Sequence, residues 1–201
     1  MATVTPQRRP SVFNLPNQLT ASRLLLSVLL FALIALEHWL GCLVVFALAA
    51  LTDWLDGYIA RRQGLSTSLG RVFDPLVDKV LICGAFIFLL PDGSRPDAGW
   101  LTPWMVVVVV AREFLITGLR GYLEAVGVRF GADWLGKLKM GLQCAALVAI
   151  FASLYYADSP LFAWTRDGLI WAMLATTILS GLQYLGRGLT IVWADPDKGS
   201  I

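Results

Sequence analysis

Six runs of mostly apolar residues, separated by short breaks, organise the chain: Leu19–Leu40, Cys42–Ala60, Phe73–Leu90, Trp100–Leu119, Leu138–Tyr156 and Gly168–Leu185. A helix needs about 20 such residues to cross a hydrocarbon core roughly 30 Å thick, so each run predicts one spanning helix. The breaks carry turn-forming or polar residues: Arg61–Gly70 is polar, Pro91–Asp97 is dense in Pro and Gly, and Gly121–Lys137 is longer and mixed. The pattern predicts an all-α integral membrane protein of six transmembrane helices in a single membrane domain, 1–201. Residues 1–16 form a short cytoplasmic N-terminal segment, and Asn17 suits the cap of the first helix. Arg8 and Arg9 precede that helix, but its apolar run is too long for the h-region of a cleaved signal, so it is expected to stay.

Composition narrows the environment. Of the 201 residues 57% are hydrophobic and 15% charged, with a mean hydropathy of +0.69; soluble domains have roughly 45–50% apolar and about 25% charged residues. Sixteen basic against fourteen acidic side chains leave +2, too balanced for a nucleic-acid partner, and lipid is the expected one. Cys42, Cys83 and Cys144 lie far apart inside apolar runs and read as buried free thiols.

With a cytoplasmic N-terminus, all of the 16 basic residues except Arg95 and Arg166 fall on the cytoplasmic side. The positive-inside rule therefore puts both termini in the cytoplasm, and Trp39, Trp100, Trp104 and Trp164 at the opposite boundary.

Against this background four acidic residues are conspicuous. Asp53 and Asp56 are three apart near the end of the second run, and Asp74 and Asp78 four apart at the start of the third, so each pair shares a helix face. An acidic residue near the centre of a span costs about 2.5–3.5 kcal/mol, less toward its ends. Asp74 before Pro75 has the form of a helix cap, and Asp78 then suits the first turn. Asp53 and Asp56 stand toward the negative end of their helix, where the dipole opposes them. Four converging carboxylates suit bound Mg²⁺ or Mn²⁺, which prefer oxygen ligands, and suffice for two ions. The absence of a neighbouring His or Cys argues against zinc. Gly57, Ala60 and Gly70 leave room either for close helix packing or for a ligand against the backbone, and Arg61 is a bidentate phosphate donor.

These residues resemble the signature of the CDP-alcohol phosphotransferase family, D-x-x-D-G-x-x-A-R, eight residues, G-x-x-x-D-x-x-x-D. Asp53, Asp56, Gly57, Ala60, Arg61, Gly70, Asp74 and Asp78 fill every fixed position. The resemblance implies a six-helix membrane fold, a CDP-linked lipid substrate, two divalent ions and a homodimer. By position, Asp53, Asp56, Asp74 and Asp78 would hold the metals, with Asp78 also the general base. Gly57, Ala60, Arg61 and Gly70 would line the cytidine diphosphate pocket. Asn14–Arg23, Ala111-Arg112-Glu113 and Gly136–Lys139 are similar to the members that use glycerol 3-phosphate, while Met140 departs from the threonine expected there.

Arg112, Arg120, Lys137 and Lys139 gather at the cytoplasmic ends of the fourth and fifth runs, a cationic cluster suited to the acceptor's phosphate. The expected reaction is direct displacement of CMP from CDP-diacylglycerol by glycerol 3-phosphate, in the plasma membrane of a bacterium. Inositol phosphate, serine or an aminoalcohol are alternative acceptors. A divalent-cation transporter is the rival class, since intramembrane carboxylates also mark ion pathways.

Overall fold

The computed structural model describes residues 15–63, 68–91, 99–125, 134–157 and 159–194, with side chains placed at 21–52, 76–91, 99–125, 134–157, 159–188 and 190. Six helices account for nearly all of this: α1 (Leu15–Ala35), α2 (Trp39–Gln63), α3 (Ser68–Phe88), α4 (Pro103–Ala125), α5 (Trp134–Tyr155) and α6 (Pro160–Ala194), with no strand among the described residues.

Helix starts follow backbone chemistry. Pro103 and Pro160 each occupy the first helical position, where proline's missing N–H has no intrahelical partner to lose. The carbonyl of Thr102 accepts from Met105 N at 3.0 Å, and that of Ser159 from Ala163 N at 3.4 Å. α1 begins at Leu15, so Asn17 lies inside the helix and is not its cap.

The first connection also departs from the apolar pattern, which put the break at Gly41. The chain turns instead at Leu36–His38: Glu37 adopts φ 56°, Glu37 N donates to Ile34 O at 3.0 Å and His38 N to Leu33 O at 2.9 Å. This is a Schellman C-cap with glutamate at the left-handed position that glycine usually holds. Gly41 is within α2, where its missing Cβ admits the His38 ring: a built Cβ would stand 2.6 Å from that ring.

The remaining helices outrun their apolar segments. α2 continues to Gln63 and α3 begins at Ser68, which absorbs most of the polar break Arg61–Gly70 into helix. Ser68 as the start makes Asp74 and Pro75 interior residues of α3, so the cap reading of Asp74 does not hold. At α6 the polar triplet Thr165-Arg166-Asp167 stays helical because it is satisfied locally. Thr165 Oγ1 donates to Leu161 O at 2.8 Å, Arg166 Nε to Asp167 at 2.8 Å, and the Arg166 guanidinium lies 4.6 Å over the Trp100 ring.

Among the described residues the helices close a ring in the order α1, α2, α5, α6, α4, α3, with α3 also touching α5 across it. All six feed one core, for example Leu30 and Ile34 from α1, Phe46 from α2, Phe86 from α3, Val109 from α4, Phe151 from α5 and Met173 from α6. Phe46 meets Phe151 edge-on at 6.1 Å, and Phe31 of α1 stacks on Phe88 of α3 at 5.0 Å. Cys42 and Cys83 are buried free thiols as expected, while Cys144 is partly exposed.

The outside is as apolar as the inside. Leu25, Leu36, Val107, Leu161, Trp164 and Leu182 all face outward, a surface that water does not tolerate over such an extent. Two described helices, Trp134–Tyr155 and Pro160–Gly188, are long and apolar enough to cross a bilayer, and Ala21–Ala35 and Trp39–Thr52 form shorter apolar helices. Charges interrupt the others: Asp53, Asp56 and Arg61 in α2, Arg71, Asp74, Asp78 and Lys79 in α3, and Arg112 and Glu113 in α4.

Candidate active site

The signature residues ride on two successive helices. Asp53, Asp56, Gly57, Ala60 and Arg61 belong to the second half of α2, and Gly70, Asp74 and Asp78 to the first half of α3. Because α2 runs on to Gln63, Asp53 stands ten residues before its end, about 15 Å at the helical rise and deeper than the apolar run implied. Asp78 stands the same ten residues after the start of α3. Pro75 lacks the N–H that the Arg71 carbonyl would receive in an uninterrupted helix, so the backbone ladder is open one turn before Asp78. The side chains of residues 53–75 lie outside the described residues, and with them seven of the eight signature positions.

Asp78 is described, and it has a buried counter-ion. Arg23 of α1, 2% exposed, reaches across to α3 and donates from Nη1 to Asp78 Oδ1. Ser27 Oγ donates at 2.8 Å to the Arg23 carbonyl one turn away. The Asp78 side chain keeps 27% of its surface, opening into a cavity of about 190 Å³. Lys79, Ile82, Glu113, Lys139, Met140 and Gln143 complete the lining, from α3, α4 and α5. Met140 therefore brings a thioether to the wall, where a threonine would have brought a hydroxyl.

Opposite Asp78 lies a second ionic centre. Glu113 of α4, 7% exposed, accepts from the Lys139 ammonium of α5, and Gln143 Nε2 approaches the same oxygen at 3.4 Å. Arg112 Nη1 stands 3.5 Å from that carboxylate, with its guanidinium 5.6 Å over the Tyr184 ring of α6. Gly181 makes the approach possible, since even a Cβ there would sit 3.3 Å from Arg112 Cγ. Arg112 Nε is buried with no hydrogen-bond partner among the described residues.

The four expected acceptor-phosphate residues therefore divide. Arg112 and Lys139 come together around Glu113, whereas Arg120 is exposed and pairs with Glu124 of its own helix at 3.2 Å. Lys137 is exposed, and two residues along a helix place it nearly opposite Lys139. Arg23 and Lys79 belong to the basic asymmetry, and Arg23 and Glu113 to the stretches similar to glycerol 3-phosphate users, but the sequence assigns none of them, nor Gln143, a place in the site. The available signal was a charge in the interior of an apolar helix, which demands a partner.

Asp78 fits a hard divalent ion, since it offers a partly open carboxylate to the cavity; Asp53, Asp56 and Asp74 belong to α2 and α3, with their side chains outside the described residues. The sole histidine, His38, is in the α1–α2 turn, about 22 Å along α2 from Asp53. Among the described residues no three His, Cys, Asp or Glu side chains form a cluster able to hold a metal.

An apolar-sided helical bundle with a charge-lined cavity between α3, α4 and α5 defines a membrane protein whose polar chemistry is internal. The profile of the CDP-alcohol phosphatidyltransferase family matches residues 13–179, and the chain belongs to that family. Its relatives include proteins named CDP-diacylglycerol--glycerol-3-phosphate 3-phosphatidyltransferase. The one from Bacillus subtilis is 32% identical over 191 residues, covering 88% of this chain and 95% of the relative. That from Rickettsia typhi is 35% identical over 180 residues (85% and 94%), and that from Escherichia coli K12 32% over 178 (86% and 93%). The family uses divalent metal ions.

Proposed function

We propose that this protein is a CDP-diacylglycerol-dependent phosphatidyltransferase that uses glycerol 3-phosphate as acceptor, forming phosphatidylglycerophosphate and CMP. The observation that carries the reading is the cavity that Asp78, the fourth signature carboxylate, shares with Lys79 of α3, Glu113 of α4 and Lys139 of α5. The relatives named for this reaction, aligned over most of the chain, support the choice of acceptor.

Asp53, Asp56, Asp74 and Asp78 would hold two divalent ions, Mg²⁺ or Mn²⁺. When bound, these supply positive charge to the pyrophosphate and the departing CMP. Gly57, Ala60, Arg61 and Gly70 line the CDP-lipid pocket, where small residues let the nucleotide approach the backbone and Arg61 binds phosphate. Asp78 takes the proton of the acceptor hydroxyl at a carboxylate oxygen, while Arg23 fixes the carboxylate's orientation. The acceptor oxygen then bonds to the lipid-bearing phosphorus as the bond to CMP breaks. Arg112, Arg120, Lys137 and Lys139 hold the acceptor's phosphate, with Arg112 and Lys139, gathered around Glu113, as the pair closest to the cavity. The chain forms one membrane domain of six spans in a bacterial inner membrane, with both termini and the site cytoplasmic, and works as a homodimer.

The test is CMP release by purified protein given CDP-diacylglycerol, Mg²⁺ and one acceptor at a time, with Asp78→Asn as control. Release that requires glycerol 3-phosphate, stops on chelation and is lost in the variant supports the reading. Release only with serine, an aminoalcohol or inositol phosphate refutes the acceptor. Divalent-cation flux in liposomes without CMP release refutes the enzyme class.

A further inference from the structure

Of the cavity's four charged lining residues three have a close ionic partner: Asp78 is engaged by Arg23, and Glu113 and Lys139 engage each other. Lys79, the fourth, makes no hydrogen bond and no ion pair within 4 Å among the described residues. Its position is unusual for a cation without such a close partner. It lies eleven residues into α3, about 16 Å from the helix start, and is only partly exposed. A lysine that merely served the membrane surface would carry its ammonium outward to the headgroups. Lys79 instead lines the same cavity wall as Asp78, its neighbour in sequence.

We propose that Lys79 is a direct ligand of the acceptor's phosphate and a determinant of the preference for a phosphorylated acceptor. This rests on the acceptor reading above and extends it to a residue outside the family signature. A dianionic phosphate in the cavity meets one ammonium without a hydrogen-bond partner among the described residues, at Lys79, and a second at Lys139 whose charge Glu113 already offsets. Asp78 immediately precedes Lys79 in α3 and lines the same cavity, so a phosphate held at Lys79 keeps the acceptor's hydroxyl end near the base. The cavity is walled by α3, α4 and α5, whereas the residues assigned to the nucleotide belong largely to α2. That separation favours the acceptor's phosphate over the pyrophosphate of the CDP-lipid as the anion at Lys79.

The test compares Lys79→Met, Lys79→Gln and Lys79→Arg with wild type in the CMP-release assay, varying each substrate separately. Removing the charge should raise KM for glycerol 3-phosphate roughly ten- to hundredfold, the worth of one hydrogen bond to a charged group. KM for CDP-diacylglycerol should stay within about twofold, and Lys79→Arg should recover most of the loss. Inorganic phosphate should compete with glycerol 3-phosphate in wild type and distinctly less in Lys79→Met. An unchanged KM for glycerol 3-phosphate overturns the proposal, and an equal rise in both KM values overturns it in favour of the pyrophosphate. Should the uncharged variants fail to fold, Lys79→Arg with phosphate competition decides: loss of competition in this folded, charged variant without change in the acceptor's KM is the overturning result. Wild-type protein that ignores glycerol 3-phosphate altogether refutes the underlying function instead.

Discussion

Replacing Glu113 by leucine isolates the energetic role of the second ionic centre. Glu113 is 7% exposed and Lys139 5%, and the two hold α4 against α5 through a direct ion pair. The substitution leaves the Lys139 ammonium buried beside Arg112, whose Nε already has no hydrogen-bond partner among the described residues. Stranding one member of a buried pair costs about 3–5 kcal/mol. Both side chains are almost fully removed from solvent, so that figure needs no discount for screening. Glu113→Gln keeps the volume and an accepting oxygen, and its cost should be smaller, about 1–3 kcal/mol. Removing both charges in Glu113→Leu/Lys139→Met should recover most of the loss, since a buried ion pair replaced by apolar groups of similar size is often neutral. Denaturant unfolding of purified protein in detergent, followed by helical circular dichroism and including Lys139→Met alone, gives the four corners of the cycle. A single-mutant cost below about 1 kcal/mol, or a double mutant no more stable than Glu113→Leu, would refute the claim that this pair joins the two helices. The double mutant should stay inactive if Lys139 holds the acceptor's phosphate as proposed.

Three other perturbations follow from particular contacts. Glu37→Gly should stabilise the protein by about 1 kcal/mol, because it relieves a left-handed residue at the α1–α2 turn; an unchanged or lowered melting temperature would contradict this. Gly84→Ala should cost about 1–3 kcal/mol, since a Cβ there falls 2.3 Å from Phe31 Cζ and the ring is held by stacking on Phe88; a neutral melting temperature would show that the ring shifts freely. A small maleimide should modify partly exposed Cys144 faster than buried Cys42 and Cys83 in the folded protein, with the difference vanishing on denaturation; equal rates when folded would refute the burial of α2 and α3 at those positions.

Much of the site was legible before the fold because its signals are local. Asp53, Asp56, Asp74 and Asp78 announce themselves by a cost that apolar helices must offset, and their spacing places each pair on one face. Local signals also misled. Gly41 looked like the first break, but the helix ended at Glu37 because a Schellman hydrogen-bond pair outweighed a disfavoured φ. Asp74-Pro75 looked like a cap, yet α3 had begun at Ser68. Thr165-Arg166-Asp167 looked like a loop, but local partners let α6 run through it.

The sequence by itself determined the apolar helices, the four carboxylates, the family signature and the excess of basic residues on one side, all of which depend on residue type and spacing along the chain. Only the tertiary structure decided which charge answers which. Arg23 meets Asp78 across 55 residues, and Glu113 meets Lys139 across 26. Helical periodicity fixes a residue's face but not the helix packed against it. The closing of the ring in the order α1, α2, α5, α6, α4, α3 supplied those neighbours, and with them a cavity that Lys79 lines without a close ionic partner among the described residues.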